Sequence, residues 1–310
     1  MIVTVTMNPA IDKTVDIDSL EQGGLNRIQR IELDAGGKGI NVSKTIKQLG
    51  GTSIATGFIA GNAGEVIEKV LSEYGIQTDF IRVSGETRTN MKVVEKRGVV
   101  TELNEPGPKV SEADLQELIG KLESYASPET LIVLSGSIPS GVDKNIYRTI
   151  TEKMHAKGAS VLLDADGGLF VNALEAKPDI IKPNRVELEE YYHLDHQAAE
   201  EELVELGRKL QDKGIGFVAI SMGGSGAIFL GKEEGLKCRG LSVKTHSTVG
   251  AGDAMVAALA WGWERKLPMR EAAALGMATS AGAVTTVGTK PPARELVDEL
   301  LKQVELDTLL

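Results

Sequence analysis

The chain has 310 residues, 42% hydrophobic and 25% charged, enough to bury one large core with a small appendage. Its 34 basic and 44 acidic residues leave a net charge of −10, which argues against nonspecific binding to nucleic acid or an anionic membrane but allows an anionic small substrate in a local basic pocket. The single cysteine, Cys238, excludes an intrachain disulfide and points to a reducing compartment, the cytoplasm by default, and no run approaches the roughly 18–20 apolar residues of a membrane span.

Residues 2–6, Ile-Val-Thr-Val-Thr, predict a strand with no basic leader before it. Asn8-Pro9-Ala10-Ile11-Asp12 ends it, at the carboxyl edge where parallel sheets hold ligands. Asp12 there reads either as an acceptor for two hydroxyls or as a turn-forming or capping aspartate. Residues 14–34 alternate polar with apolar and lack helical periodicity. In Asp34-Ala35-Gly36-Gly37-Lys38-Gly39-Ile40-Asn41, three glycines precede a helix predicted over 40–49. The spacing is not that of a P-loop. It offers Lys38 and Asn41 to a polar ligand lying against bare backbone, or else it is a tight turn with an exposed lysine.

A strand over 52–58 and a helix over 65–74 follow. Thr87-Arg88-Thr89-Asn90 opens a second alternating segment, 88–103, in which the Lys96-Arg97-Gly98 turn makes 90–103 a hairpin. The two alternating segments read as a separate small sheet, with edge strands of the main sheet as the alternative. Each carries an arginine, Arg27 and Arg88, suited to bidentate recognition of phosphate.

Beyond a helix over 114–125, the apolar strand 131–134 runs into Ser135-Gly136-Ser137-Ile138-Pro139, whose hydroxyls, Ser137 included, fit a sugar-contact loop or a plain turn. A helix over 144–157 and strands over 161–163 and 180–181 precede Lys182-Pro183-Asn184-Arg185-Val186-Glu187. Asn184 and Glu187, three apart, share a helical face that can hold a hydrated Mg²⁺ or form a capping box. A helix over 198–213 leads to strands 217–220 and 227–230, joined by Ser221-Met222-Gly223-Gly224-Ser225-Gly226. That loop either lets a nucleotide phosphate approach backbone N–H groups or is a flexible hairpin.

Thr248-Val249-Gly250-Ala251-Gly252-Asp253 is the most informative stretch. It lies between a strand-like 240–244 segment and an apolar helix over 254–263; helices over 269–286 and 293–303 close the chain. The glycines allow a tight turn, and the helix behind it aims unpaired N–H groups at that turn, which makes an anion site. Asp253 at its mouth suggests a base beside a phosphate, hence phosphoryl transfer to a hydroxyl. Strand–helix alternation with strands apolar on both faces predicts an α/β fold whose mostly parallel sheet is covered on both sides.

In this order the motifs resemble those of the ribokinase/PfkB family of sugar kinases over nearly the whole chain. GGKGxN at 36–41 and TxGAGD at 248–253 are the family's paired signatures, and Asn8–Asp12, Thr87–Asn90 and Leu103-Asn104-Glu105-Pro106-Gly107-Pro108 resemble its phosphosugar branch. The resemblance implies one domain over 1–310, a three-layer α/β/α ribokinase-like sandwich with a small β-sheet lid formed by 14–34 and 88–103. It implies ATP-dependent phosphorylation of a ketohexose phosphate, fructose 1-phosphate first, with tagatose 6-phosphate and fructose 6-phosphate as alternatives. Asp253 would be the base, and Gly250, Ala251 and Gly252 the anion hole. Asp12, Gly37, Lys38, Asn41 and Ser137 would contact the sugar, with Arg88 and Arg27 on its phosphate. Lys182, Asn184, Glu187, Ser221, Gly223 and Gly226 would serve ATP and Mg²⁺, with Glu187 and Asn184 toward the metal. A homodimer formed through the lid is also implied. A noncatalytic sugar or nucleotide sensor is the reading from another class, and the complete glycine turn with Asp253 argues against it. An NAD-binding Rossmann protein fails because no GxGxxG follows the first strand.

Overall fold

A computed structural model of the protein describes residues 1–309. Its main sheet runs, edge to edge, Leu306–Leu309, Gly235–Cys238, Ala227–Leu230, Phe217–Ser221, Ile180–Ile181, Ser160–Asp164, Leu131–Ser135, Ile2–Thr6, Ile54–Ile59 and Gln77–Thr78. From Phe217–Ser221 to Gln77–Thr78 every pairing is parallel, and the last three strands at the other edge are antiparallel. The uninterrupted apolar runs suit strands buried on both faces, since successive side chains point to opposite sides. Val3, Val5, Ile132 and Leu134 pack with Leu118, Tyr147, Ile150 and Leu203 of the helices on one side. Ile2, Leu131 and Val133 pack with Val42, Ile46, Met255 and Val256 on the other. These are the three expected layers.

Four strands form a separate sheet in the order Arg30–Gly36, Ala10–Ile17, Arg88–Glu95, Val100–Asn104. It extends beyond 14–34 to Ala10 and Gly36, which changes the reading of two motifs. Asp12 lies inside a strand rather than in a turn, and Asp34-Ala35-Gly36 ends a strand rather than opening a loop. Opposed residues are Asp12 with Asn90 and Asp34, Lys92 with Glu102, and Asn90 with Asn104. One face of the sheet is therefore polar. The other carries Val15, Val93, Ile31, Leu33 and Leu103, of which Ile31 is 52%, Leu33 63% and Leu103 56% exposed.

Two further expectations change. The segment 240–244 is not a strand; the strand is Gly235–Cys238, and the Leu241/Val243 alternation lines a cavity wall without joining a ladder. The edge strand Leu306–Leu309 and the helix Gly167–Leu174 carry no clear signal of their own, being short and dependent on their neighbours.

Candidate active site

Five parallel strands, Ile2–Thr6, Leu131–Ser135, Ser160–Asp164, Ile180–Ile181 and Phe217–Ser221, end along one rim, where a cavity of about 680 Å³ opens beneath the polar face of the small sheet. Residues at or just beyond those ends line it: Asn8, Ser137, Asp164, Lys182, Asn184 and Ser221. Of the expected site residues, Asp12, Gly37, Lys38, Asn41, Arg88, Ser137, Lys182, Asn184, Glu187, Ser221, Gly223, Gly226, Gly250, Ala251, Gly252 and Asp253 all line this one cavity. Arg27 does not. It is exposed in the segment between Ile17 and Arg30, where no periodic pattern constrains which way a side chain points. Within the single chain Arg27 thus stands outside the cavity.

Gly250 caps the helix Ala251–Glu264 in the left-handed conformation, φ 85°, which a side chain at this position would strain. The first intrahelical bond is Ala254 N–H to Gly250 O, so the N–H groups of Ala251, Gly252 and Asp253 have no partner in the helix. A Cβ on Gly252 would lie 3.4 Å from Lys182 Nζ, which places that ammonium beside the turn. Backbone donors, a helix N-terminus and a cation thus converge, as an anion requires.

Asp253 is 8% exposed, and its Oδ2 accepts a 2.8 Å hydrogen bond from Asn41 Nδ2. Burial pushes its carboxyl up to about 6, the Asp164 charge adds to this, and the Asn41 bond with Lys38 and Lys182 pulls the other way. A carboxylate poised there can accept a proton near neutral pH. Beneath it lies Asp164, which the sequence reading missed. It is ion-paired with Lys182 Nζ at 3.1 Å and Lys38 Nζ at 3.4 Å. Burial works against its charge, but the two lysines hold its carboxyl below the ordinary range, and Asp164 in turn raises Lys38.

Across the cavity, Arg88 donates through Nε and Nη2 to the carbonyl of Asn8, at 3.2 and 2.9 Å, and its Nη2 lies 3.5 Å from Ser137 Oγ. No carboxylate is ion-paired with it among the described residues, so its charge is available to an anion. Asn184 caps the helix Arg185–Tyr191 in a complete capping box: its Oδ1 accepts from Glu187 N at 2.9 Å, and Glu187 Oε2 accepts from Asn184 N at 2.8 Å. That leaves Glu187 Oε1 without a protein donor and able to serve a hydrated cation, and the Asn184 oxygen keeps a second lone pair for a water of that shell. No cluster of three or more His, Cys, Asp or Glu able to hold a metal occurs among the described residues.

The cavity is built for a polar ligand. Among the described residues, five that line it, Thr6, Asn8, Asn41, Asn90 and Ser135, each carry a buried side-chain oxygen with no hydrogen-bond partner. Such atoms are rare in folded proteins and costly where nothing satisfies them. One end of the cavity is apolar instead, walled by Leu241, Val243, Met255, Met277, Ala281 and Val284.

The model of the pfkB family carbohydrate kinases matches residues 5–296. The 1-phosphofructokinase of Bacillus subtilis (strain 168) is 37% identical over 309 residues, covering 100% of both chains. The D-tagatose-1-phosphate kinase of Bacillus licheniformis is 33% identical over 309 residues, again covering 100% of both. Among solved structures, phosphofructokinase-2 from Escherichia coli in complex with substrates and products shares the fold with a TM-score of 0.92, at 24% identity, over 97% of this chain and 98% of that one.

A carboxyl raised to about 6 binds its proton more tightly folded than unfolded, so its ionisation costs stability above that pH, less as pH falls from 6, and nothing below about 4. Asp253→Asn is therefore expected to unfold at higher denaturant than the wild type at pH 8, by about 1–3 kcal/mol, with the difference shrinking by pH 5. Equal stability of the two proteins at both pH values would contradict a buried, strained carboxylate.

Proposed function

The chain belongs to the pfkB family of carbohydrate kinases, and from that premise we propose that it transfers the γ-phosphoryl group of ATP to fructose 1-phosphate, giving fructose 1,6-bisphosphate and ADP. It is an ATP-dependent sugar-phosphate kinase. The observation that carries the assignment is one cavity holding both an anion-binding turn with a carboxylate at its mouth and, on the facing sheet, an arginine free of any carboxylate partner. A neutral sugar would leave the Arg88 charge without an anion.

In this reading the sugar phosphate lies between Arg88 and Asp253. Asp12, Asn41 and Ser137 meet its hydroxyls, with Lys38 and the bare backbone at Gly37 alongside. As the hydroxyl oxygen forms its bond to the γ-phosphorus and the bond to the ADP oxygen breaks, Asp253 takes the hydroxyl proton. The N–H groups after Gly250 and the Lys182 ammonium meet charge spreading on the transferred group. Ser221, Gly223 and Gly226 hold the nucleotide's phosphates, and the apolar wall suits its flat base. Glu187, backed by Asn184, would hold a hydrated Mg²⁺, which neutralises phosphate charge when bound. The small sheet acts as a lid that keeps water from competing as acceptor.

The relative that acts on tagatose 1-phosphate supports that sugar as the second candidate. No helix among the described residues is long and apolar enough to cross a membrane, and with the lone Cys238 buried we place the reaction in the cytoplasm.

The lid turns its polar face to the cavity and its apolar face outward, the reverse of what a sheet resting on a core does. Ile31, Leu33 and Leu103 need a cover, and the same face of a second copy supplies one, giving a homodimer through the lids.

A steady-state screen of fructose 1-phosphate, tagatose 1-phosphate, tagatose 6-phosphate and fructose 6-phosphate with MgATP tests the substrate. The highest kcat/KM is expected for fructose 1-phosphate, and turnover of none would overturn the reading. With the best sugar, Arg88→Ala is expected to raise the sugar-phosphate KM roughly 10–150-fold, the loss of a charge-assisted bond, with little effect on ATP. Equal effects on both substrates would place Arg88 elsewhere in the mechanism. Sedimentation at micromolar concentration is expected to show a dimer that Leu33→Glu dissociates; a wild-type monomer would contradict the pairing.

A further inference from the structure

Lys44 lies on the helix Lys38–Gln48, facing neither solvent nor the main cavity, and it is wholly buried. A buried ammonium needs a partner. Its Nζ donates to Asp34 Oδ1 at 2.8 Å, and the other Asp34 oxygen accepts from Thr289 Oγ1 at 3.3 Å. Asp34 stands directly opposite Asp12 on the neighbouring antiparallel strand. Side chains so placed share a face, with Cβ atoms about 4.5–5.5 Å apart, and like charges there repel.

We infer that Lys44, by pairing with Asp34, offsets the like charge that faces Asp12 and so keeps Asp12 seated as a carboxylate for the sugar's hydroxyls, which makes Lys44 a positioning residue for the sugar site. This rests on the sugar-kinase reading above. An ionised carboxylate accepts bonds from two hydroxyls, whereas a protonated one gives up part of that capacity.

The seat itself is visible. A Cβ on Gly36 would fall 2.1 Å from Asp12 Oδ2, so the carboxylate lies over the bare backbone there, while Asn90 Nδ2 donates to Oδ1 at 3.3 Å. Lys92 and Arg88 face Asp12 from the next strand, Lys92 being drawn also toward Glu102 at 3.8 Å, and Asp34 faces it from the other side with Lys44 behind. Burial raises the Asp12 carboxyl above its ordinary range and Asp34 adds to this; Lys92, the Asn90 bond and Lys44 oppose it. Strength alone does not account for the pair, because apolar residues of similar volume commonly stabilise a buried site as well or better. Lys44 matters because Asp34 would otherwise face Asp12 with its charge unopposed.

The two partners act on Asp12 with opposite signs, and that separates this role from a purely structural one. The sugar-phosphate KM would be measured from pH 5.5 to 8.5 at saturating MgATP for wild type, Lys44→Met, Asp34→Asn and the double variant. The ionisations of Asp253 and of the substrate's phosphate enter every profile alike and cancel in the ratio to wild type. Lys44→Met is expected to raise that ratio as pH falls, by roughly 3–10-fold at the acid end, with the ATP KM unmoved. Asp34→Asn is expected to move the ratio the opposite way, Lys44→Arg to restore it, and the charge-neutral double variant to stay near wild type. Should Lys44→Met not fold, the direction shown by Asp34→Asn decides. Changes of the same sign in both single variants, or none in either, overturn the inference. A wild type that turns over no sugar phosphate overturns the kinase reading instead.

Discussion

The site depends on a balance of charge at the cavity floor: two carboxylates, Asp253 and Asp164, and two ammoniums, Lys38 and Lys182, hold one another in place. A carboxylate as buried as Asp253 would take up a proton and lose its use as a base unless cations stood nearby. Asp164 tethers both lysines without cancelling them. Lys182 still reaches the glycine turn, and Lys38 still lines the sugar side. Asn41 adds the direct hydrogen bond that orients Asp253. The outcome is a carboxyl at about 6: basic enough to accept a proton, yet ionised at neutral pH.

Parallel strands make this balance possible. They deliver the ends of five strands, far apart in sequence, to one rim, and a buried strand can end in a charged residue only where partners from other segments meet it. Much of this was legible beforehand. Uninterrupted apolar runs bounded by glycines located the central strands, and every motif read at a carboxyl edge proved to line the same cavity. Asp164 was not legible. In the sequence its charge closes the apolar run at Leu163, although the strand continues to Asp164 and stays buried because Lys38 and Lys182 arrive from 126 residues before and 18 after. Lys44 is the same case: on its helix it looks like a surface lysine until strand Arg30–Gly36 brings Asp34 against it. Arg27 differs: it is an isolated residue with no periodicity to aim it, and in the single chain it lies outside the cavity.

The small sheet reverses the usual arrangement. Polar residues on its inner face meet the cavity, and Ile31, Leu33 and Leu103 on its outer face meet solvent in the single chain. On the proposed reading, substrate would complete one side and a second subunit would cover Ile31, Leu33 and Leu103 on the other, tying catalysis and assembly to one element. A ligand touching Arg88 on the sheet and Asp253 on the core bonds to both only when they are close, so its binding favours the closed arrangement.

The pH dependence of kcat at saturation with both substrates tests the central claim, that Asp253 is the base and that its neighbours set its ionisation. The account expects kcat to fall with a single-proton slope toward acid pH. It expects that limb to move to higher pH in Asn41→Ala, where the carboxylate loses the donor that favours its charge. A kcat that stays level to pH 5, or a limb that Asn41→Ala leaves in place, would contradict it.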